Sequence, residues 1–218
     1  MSGQGPEPWS AMLARLLILI SIATLIACDP GPNTGRVVPA NAKSSKDGFE
    51  TINNVKIKWE VTPVVFKFDS KVPQEVQQAC MRAGRTWNRV TELELFKFTS
   101  DPNGSNNTIT WGKENKPDKE GHQAETSTWI VSGLIKNATI DFDLSHFQMT
   151  TNLTPETADT ESVCLHELGH SIGMAHSKRA DSVMTSVLET GKARRSPSPE
   201  DVINVLNVYN PVRLSSSR

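Results

Sequence analysis

His166-Glu167-Leu168-Gly169-His170-Ser171-Ile172-Gly173-Met174-Ala175-His176 sets three histidines, a glutamate and two glycines into eleven consecutive residues. On an α-helix, residues four apart share a face, so His166 and His170 can aim their imidazoles at one ion. Glu167 stands beside the first ligand, where it can reach a water without ligating the metal. Gly173 ends or sharply bends the helix, because it tolerates positive φ and has no side chain to obstruct a turn. The bend returns His176 as a third ligand and leaves the fourth position open, which is the pattern of a catalytic zinc; a structural zinc is closed by four protein ligands. The competing account is a helix whose histidines are merely surface or core groups. It must explain why three of the chain's five histidines fall in ligand register, and the glycine and third histidine at their offsets favour a zinc hydrolase.

The chemistry follows from those residue types. Zn2+ held by neutral imidazoles supplies the Lewis acidity that lowers the pKa of water from about 15.7 toward 7 and polarises a carbonyl. Glu167 is the group placed to take the proton from the attacking water and pass it to the departing amine. The helix is expected to begin with Thr154 as cap, Pro155 in its first turn and Glu156 near the positive end of the dipole. Ala158, Ser162, Leu165, Gly169 and Ile172 then share one face, small enough to pack closely on a sheet, and His166 and His170 turn to a cleft.

The extended motif resembles that of the metzincin metalloproteases. These carry a methionine turn beneath the zinc, for which Met184 in Asp181-Ser182-Val183-Met184 is the candidate. Without that resemblance, Met184 is simply an apolar residue after a polar loop. Ser177 directly follows His176, and a serine there resembles the matrixins, the matrix-metalloprotease-like branch. An astacin is expected to carry Glu at this place and a serralysin Pro. The likeness runs through roughly residues 50–211. Val64–Phe68 reads as a first strand, and Pro73–Val90 as a helix with Val76, Ala79, Ala83 and Trp87 on one face. Leu93–Phe98 and Thr108–Trp111 read as further strands. Gly121–Thr126 resembles the edge strand above a matrixin cleft, Ala138–Asp143 the strand after it. Ser198 caps a last helix through Tyr209, with Pro199 in its first turn.

The resemblance implies an α+β fold of the zincin type. Its sheet is mixed and mostly parallel, with about five strands and three helices, and the zinc lies in a cleft between a larger N-terminal and a smaller C-terminal subdomain. It also implies a zinc endopeptidase whose peptide substrate lies extended along the Gly121–Thr126 strand as an added strand. Three departures stand out. No pro-segment with a cysteine switch is recognisable, and Thr185-Ser186 follow Met184 where many matrixins have Tyr-Pro. The loop that holds structural zinc and calcium in the animal enzymes is not evident. Asp101, Asp118, Asp141, Asp143 and His122 are available for such sites, Ca2+ included, but are expected to be solvated loop groups.

Ahead of this unit, Leu16–Ala27 is an apolar run after Arg15, of a length typical of a signal-peptide core and too short to span a bilayer comfortably. Leu25-Ile26-Ala27-Cys28 resembles a bacterial lipobox, so residues 1–27 are expected to be a lipoprotein-type signal peptide and Cys28 the lipidated residue. Met12 is the expected true start, since Met12-Leu13-Ala14-Arg15 leads directly into the apolar run. Residues 28–49, rich in Pro, Gly, Asn, Ser and Lys, read as a flexible tether, and residues 50–218 as one catalytic domain. No internal repeat is visible, against a serralysin.

Cys80 and Cys164 are expected as two buried thiols; an oxidising envelope would permit pairing, which would tie the first helix to the active-site helix. A net charge of −1 without a basic, aromatic-rich cluster gives no support for nucleic-acid binding, and no nucleic-acid partner is expected. The chain is thus expected to be a monomeric, membrane-anchored lipoprotein facing the extracytoplasmic side of a bacterial envelope and cleaving proteins or peptides there. The alternatives are a zinc-binding, non-proteolytic partner-binding lipoprotein and a metal-dependent hydrolase of non-peptide substrates. A eukaryotic secretory route, with Asn106 and Asn137 as glycan acceptors, is a third.

Overall fold

The computed structural model describes residues 48–52, 54–112, 123–144 and 148–210, together with short strands at 35–37 and 42–44. The signal segment, Met12, Cys28, Asp118, Gly121 and His122 lie outside the described residues. In chain order the elements begin with β1 (Gly35–Val37), β2 (Ala42–Ser44), β3 (Glu50–Ile52), β4 (Val55–Lys56) and β5 (Val64–Phe68). Then come α1 (Gln74–Thr91), β6 (Phe96–Thr99), β7 (Asn107–Trp111), β8 (Ala124–Val131) and β9 (Leu134–Phe142). The last are β10 (Met149–Thr150), β11 (Ala158–Asp159), α2 (Thr160–Ser171) and α3 (Pro199–Tyr209).

The main sheet has the order β1-β8-β9-β7-β5-β6. β6, β5, β7 and β9 run parallel, β8 is antiparallel to β9, and the three-residue β1 adds parallel to the outer side of β8. The result is the expected mixed, mostly parallel sheet with three helices, extended by one short strand. Alternation explains β5: Val64 and Phe66 are buried, while Val65 and Lys67 are only partly so. Ile109 of β7 lies opposite Ile140 of β9 and both are buried, so the parallel strands carry a continuous apolar face. β8 and β9 are joined through Ser132 and Gly133, with φ of 52° and 80°. A two-residue turn with both central residues left-handed matches the twist of the flanking strands.

Helix α1 buries Val76, Ala79, Ala83 and Trp87, the stripe expected from their spacing, and Cys80 beside them. It packs on β6 and on α2, which in turn lies against β8 and β9. A Cβ on Gly84 would sit 2.7 Å from the Phe98 ring, which shows how closely α1 approaches β6. Trp87 is fully buried and donates its indole N–H to Leu165 O at 2.9 Å. Each apolar side chain so enclosed contributes about 1.5–3 kcal/mol.

Two expectations are corrected here. α2 starts at Thr160 rather than after Thr154. Thr154 instead belongs to a separate turn, its N–H donating to Thr157 Oγ1 at 2.8 Å, and Ala158-Asp159 then pair with β10. Extended pairing at 158–159 leaves no helical backbone there, so Ala158 cannot join a helix face. Cys80 and Cys164 are not free thiols either: they form a disulfide, with Cα atoms 5.0 Å apart. Within the segment expected to be a tether, β1 pairs with β8, and β2 joins β3 and β4 in a small antiparallel sheet.

The disulfide closes 84 residues of chain between α1 and α2, and restricting a loop of that length in the unfolded state stabilises by about 4.5 kcal/mol in the chain-entropy limit. Replacing both cysteines by alanine is expected to lower unfolding free energy by about 2–4 kcal/mol, read from denaturant midpoints; unchanged midpoints would mean the bridge is dispensable.

Candidate metal centre

Helix α2 is capped by Asp159, whose carboxylate accepts from the Ser162 N–H at 3.0 Å and the Ser162 hydroxyl at 2.5 Å. Arg195 reaches the same carboxylate with two nitrogens, and Arg82 pairs with Glu161 at 2.7 Å. All twelve residues of α2 are buried. This is no amphipathic surface helix; it is enclosed by α1, β8 and β9 and by the segment after Gly173.

His166 and His170, four residues apart, turn to the same place and are joined there by His176. The His166 Nδ1 lies 2.7 Å from Val183 O, and the His170 Nδ1 lies 2.8 Å from Met174 O. A carbonyl can only accept, so each Nδ1 carries the hydrogen and each Nε2 presents its lone pair. His170 Nε2 and His176 Nε2 stand 3.1 Å apart, and one ligand atom from each of the three histidines falls within a 4.8 Å span. Ligands at about 2.0–2.1 Å around a tetrahedral ion lie roughly 3.3–3.4 Å from one another. The donor set and its spacing therefore fit Zn2+. Among the described residues this is the one cluster of three or more side chains able to hold a metal.

The third ligand is delivered by a constrained turn. Gly173 has φ +94°, and a Cβ there would lie 2.1 Å from Ile57 O, so no other residue fits. Glu50 N–H donates to Gly173 O and Ala175 N–H to Gly48 O, both at 2.9 Å, pinning the turn to the start of the domain. The helix end is held from another side. Trp59 donates its indole N–H to Ser171 O at 2.7 Å, and the Tyr209 hydroxyl donates to Ile172 O at 2.8 Å. Burial pushes the Tyr209 phenol well above its usual range, so it remains a donor.

Below the histidines, Met184 is fully buried. A Cβ on Gly169 would meet its sulfur at 2.4 Å, so Gly169 makes room for Met184 rather than for the sheet, as the helical pattern suggested. Asp201 of α3 shapes this turn. It accepts from the Ser182 hydroxyl at 2.6 Å and from the Val183 N–H at 3.0 Å, while also forming a capping box with Ser198. Val183, so placed, accepts the His166 ring hydrogen. Nothing in the sequence pattern pointed to this link between Asp201 and the turn that carries Val183.

Glu167 is buried, and Thr126 of β8 donates its hydroxyl to Glu167 Oε2 at 2.5 Å. Of the acids named for additional metal sites, Asp101 is exposed and caps its own turn through Asn103 N–H at 2.9 Å. Asp141 and Asp143 are instead buried, Asp141 on β9 accepting from the Thr110 hydroxyl at 2.5 Å. They are not solvated loop acids: β9 carries Asp141 inward beside β8, and Asp143, just past the end of β9, donates its N–H to Gln123 O at 3.0 Å.

The sequence profile of the matrixin peptidases (peptidase M10) matches residues 52–210. The chain belongs to the matrixin family. It is 28% identical over 169 residues to metalloendoproteinase 2-MMP of Arabidopsis thaliana, covering 67% of this chain and 40% of that protein. It is 27% identical over 165 residues to matrix metalloproteinase-18 of Xenopus laevis, covering 72% and 34%. It is 27% identical over 150 residues to matrix metalloproteinase-C of Caenorhabditis elegans, covering 62% and 24%. The matched stretch thus spans two fifths or less of the length of these relatives. Family membership makes this chain a metalloprotease relative and implies zinc at the three histidines.

A pH dependence follows from Asp159. Burial by itself would raise its pKa, but the Arg195 guanidinium and the Ser162 donors outweigh burial and hold the carboxyl below its ordinary value of 3.8. A depressed folded pKa contributes stability that is complete above the unfolded value and is lost as pH falls through the folded one. Stability is therefore expected to decline below about pH 4, and Asp159→Ala to cost about 3 kcal/mol at neutral pH through the lost cap and ion pair. In that variant the acid limb of the stability–pH curve should flatten; an unchanged limb would assign it to other groups.

Proposed function

We propose that this matrixin is a zinc-dependent endopeptidase acting on extracytoplasmic proteins or peptides, with Glu167 as the base that activates the attacking water. The observation that carries this reading is the convergence of three imidazoles beside a buried carboxylate, each ring set by a backbone carbonyl or a constrained turn. When bound, Zn2+ supplies Lewis acidity toward water and the scissile carbonyl. The chain's own groups do the rest. His166, His170 and His176 hold the ion from one side, and Glu167 takes the water's proton and delivers it to the leaving amine. A peptide is bound as an extended strand along β8. That place carries β1, whose Gly35, Arg36 and Val37 pair with Glu125, Thr126 and Ser127, so β1 must leave before a substrate strand can lie there.

For the N-terminus, the Leu25–Cys28 lipobox supports export and anchoring through a lipid on Cys28. Cys28→Ser is expected to shift the protein from the membrane to the soluble fraction; retention in the membrane would sink the anchor.

Glu167→Ala should keep one Zn2+ per chain and lose about 10²–10⁴-fold in cleavage of an unfolded protein substrate. The measurement is made on the full chain and on a form beginning at Asn41, with the shorter form of the parent protein expected to be faster. Near-parent hydrolysis by the variant would remove Glu167 from its role. A zinc-loaded parent that cleaves nothing in either form would favour the non-proteolytic, partner-binding reading.

A further inference from the structure

We propose that Thr126 is a positioning residue for Glu167, holding one carboxylate oxygen so that the other is presented to the water. The proposal rests on the endopeptidase reading for its kinetic part. Thr126 lies on β8 opposite Ile140 of β9 and is fully buried, its side chain on the face that meets α2. Its hydroxyl stands 2.5 Å from Glu167 Oε2 and 3.1 Å from Glu167 O. A hydroxyl has one proton to give. It goes to the carboxylate, the shorter contact, and a charge-assisted O–H···O⁻ bond of that length is among the stronger ones available.

Two features make this contact an alignment device. First, a glutamate has three rotatable bonds, whereas the β-branched threonine is stiff at χ1. The donor is thus fixed by the sheet, and it fixes the acceptor. Second, Thr126 belongs to the Glu125–Ser127 stretch whose outer side pairs with β1, the same stretch on which a substrate strand is proposed to lie. One residue then links the backbone that registers the peptide to the side chain that registers the base. A base held by its own helix alone would have no such reference to the scissile bond, and small misplacement of a catalytic group costs rate steeply.

The test compares Thr126→Val, which keeps the shape without the hydroxyl, with Thr126→Ser, which keeps the hydroxyl. Thr126→Val is expected to lower kcat by about tenfold to a hundredfold with KM, zinc content and melting temperature near those of the parent protein. Thr126→Ser is expected to recover most of kcat. Independently of turnover, crystal structures of the zinc-loaded variants should show the Glu167 carboxylate displaced or in several rotamers with valine and in the parent position with serine. Parent-like kcat with valine, equal impairment of both variants, or an unmoved Glu167 with valine would overturn the proposal. Loss of zinc or of thermal stability with valine would overturn it too, by making Thr126 structural. If the zinc-loaded parent cleaves no peptide, the endopeptidase reading fails, while the crystal structures still decide whether Thr126 places Glu167.

Discussion

An imidazole that offers one nitrogen to a metal must have its other nitrogen held by something that does not move, or the ring turns. Here the fixed partners are backbone carbonyls, Val183 O for His166 and Met174 O for His170. Both carbonyls lie after Gly173, in chain that has turned back beneath the helix. The metal ligands on α2 are therefore oriented by residues that follow them in sequence, and the site exists only once that return is made. Much of the C-terminal third of the chain serves to make it reliable.

Asp201 illustrates the dependence. Its carboxylate closes the cap of α3 and simultaneously takes the Ser182 hydroxyl and the Val183 N–H. A buried polar network of this kind is worth more complete than its separate bonds suggest, and a partly satisfied one is costly. The apolar side has matching constraints: Gly169 leaves space for Met184, and Gly173 for Ile57 O. Trp59 and Tyr209 hold the last carbonyls of α2, and the disulfide ties its middle to α1. The helix is fastened at both ends and at its centre, which suits a ligand set whose nitrogens stand about one van der Waals contact apart.

Strand β8 has a double role. Toward the core, Thr126 touches Glu167; toward the outside, its backbone is an edge that β1 covers. An uncovered strand edge is a template for any extended chain, and the property that would suit it to the proposed substrate strand also suits it to three residues from the chain's own N-terminal stretch. Occupancy of that edge and the contact with the proposed base, Glu167, meet at one residue.

Periodicity and spacing alone determined a good part of this protein. The H-E-x-x-H-x-x-G-x-x-H register, the stripe on α1, the alternation in β5 and the Ser198-Pro199 start of α3 are local signals, because each depends on residues a few positions apart. The family likeness, now matched over residues 52–210, rests on the same local signals in order. What only tertiary structure decided are relations between distant residues. Cys80 and Cys164 pair across 84 positions, Thr126 meets Glu167 across 41, and Asp201 reaches Val183 across 18. Local cues misled where pairing overrode them: Thr154-Pro155 look like a helix start, but extended pairing at Ala158-Asp159 delays the helix to Thr160. Burial of Asp141 on β9 and of Asp143 just after it was hidden for the same reason, since an acidic residue reads as solvated until the neighbouring strand is in place. Sequence names the groups that can hold a metal and move a proton; only folding sets the fixed donors and carbonyls that aim them.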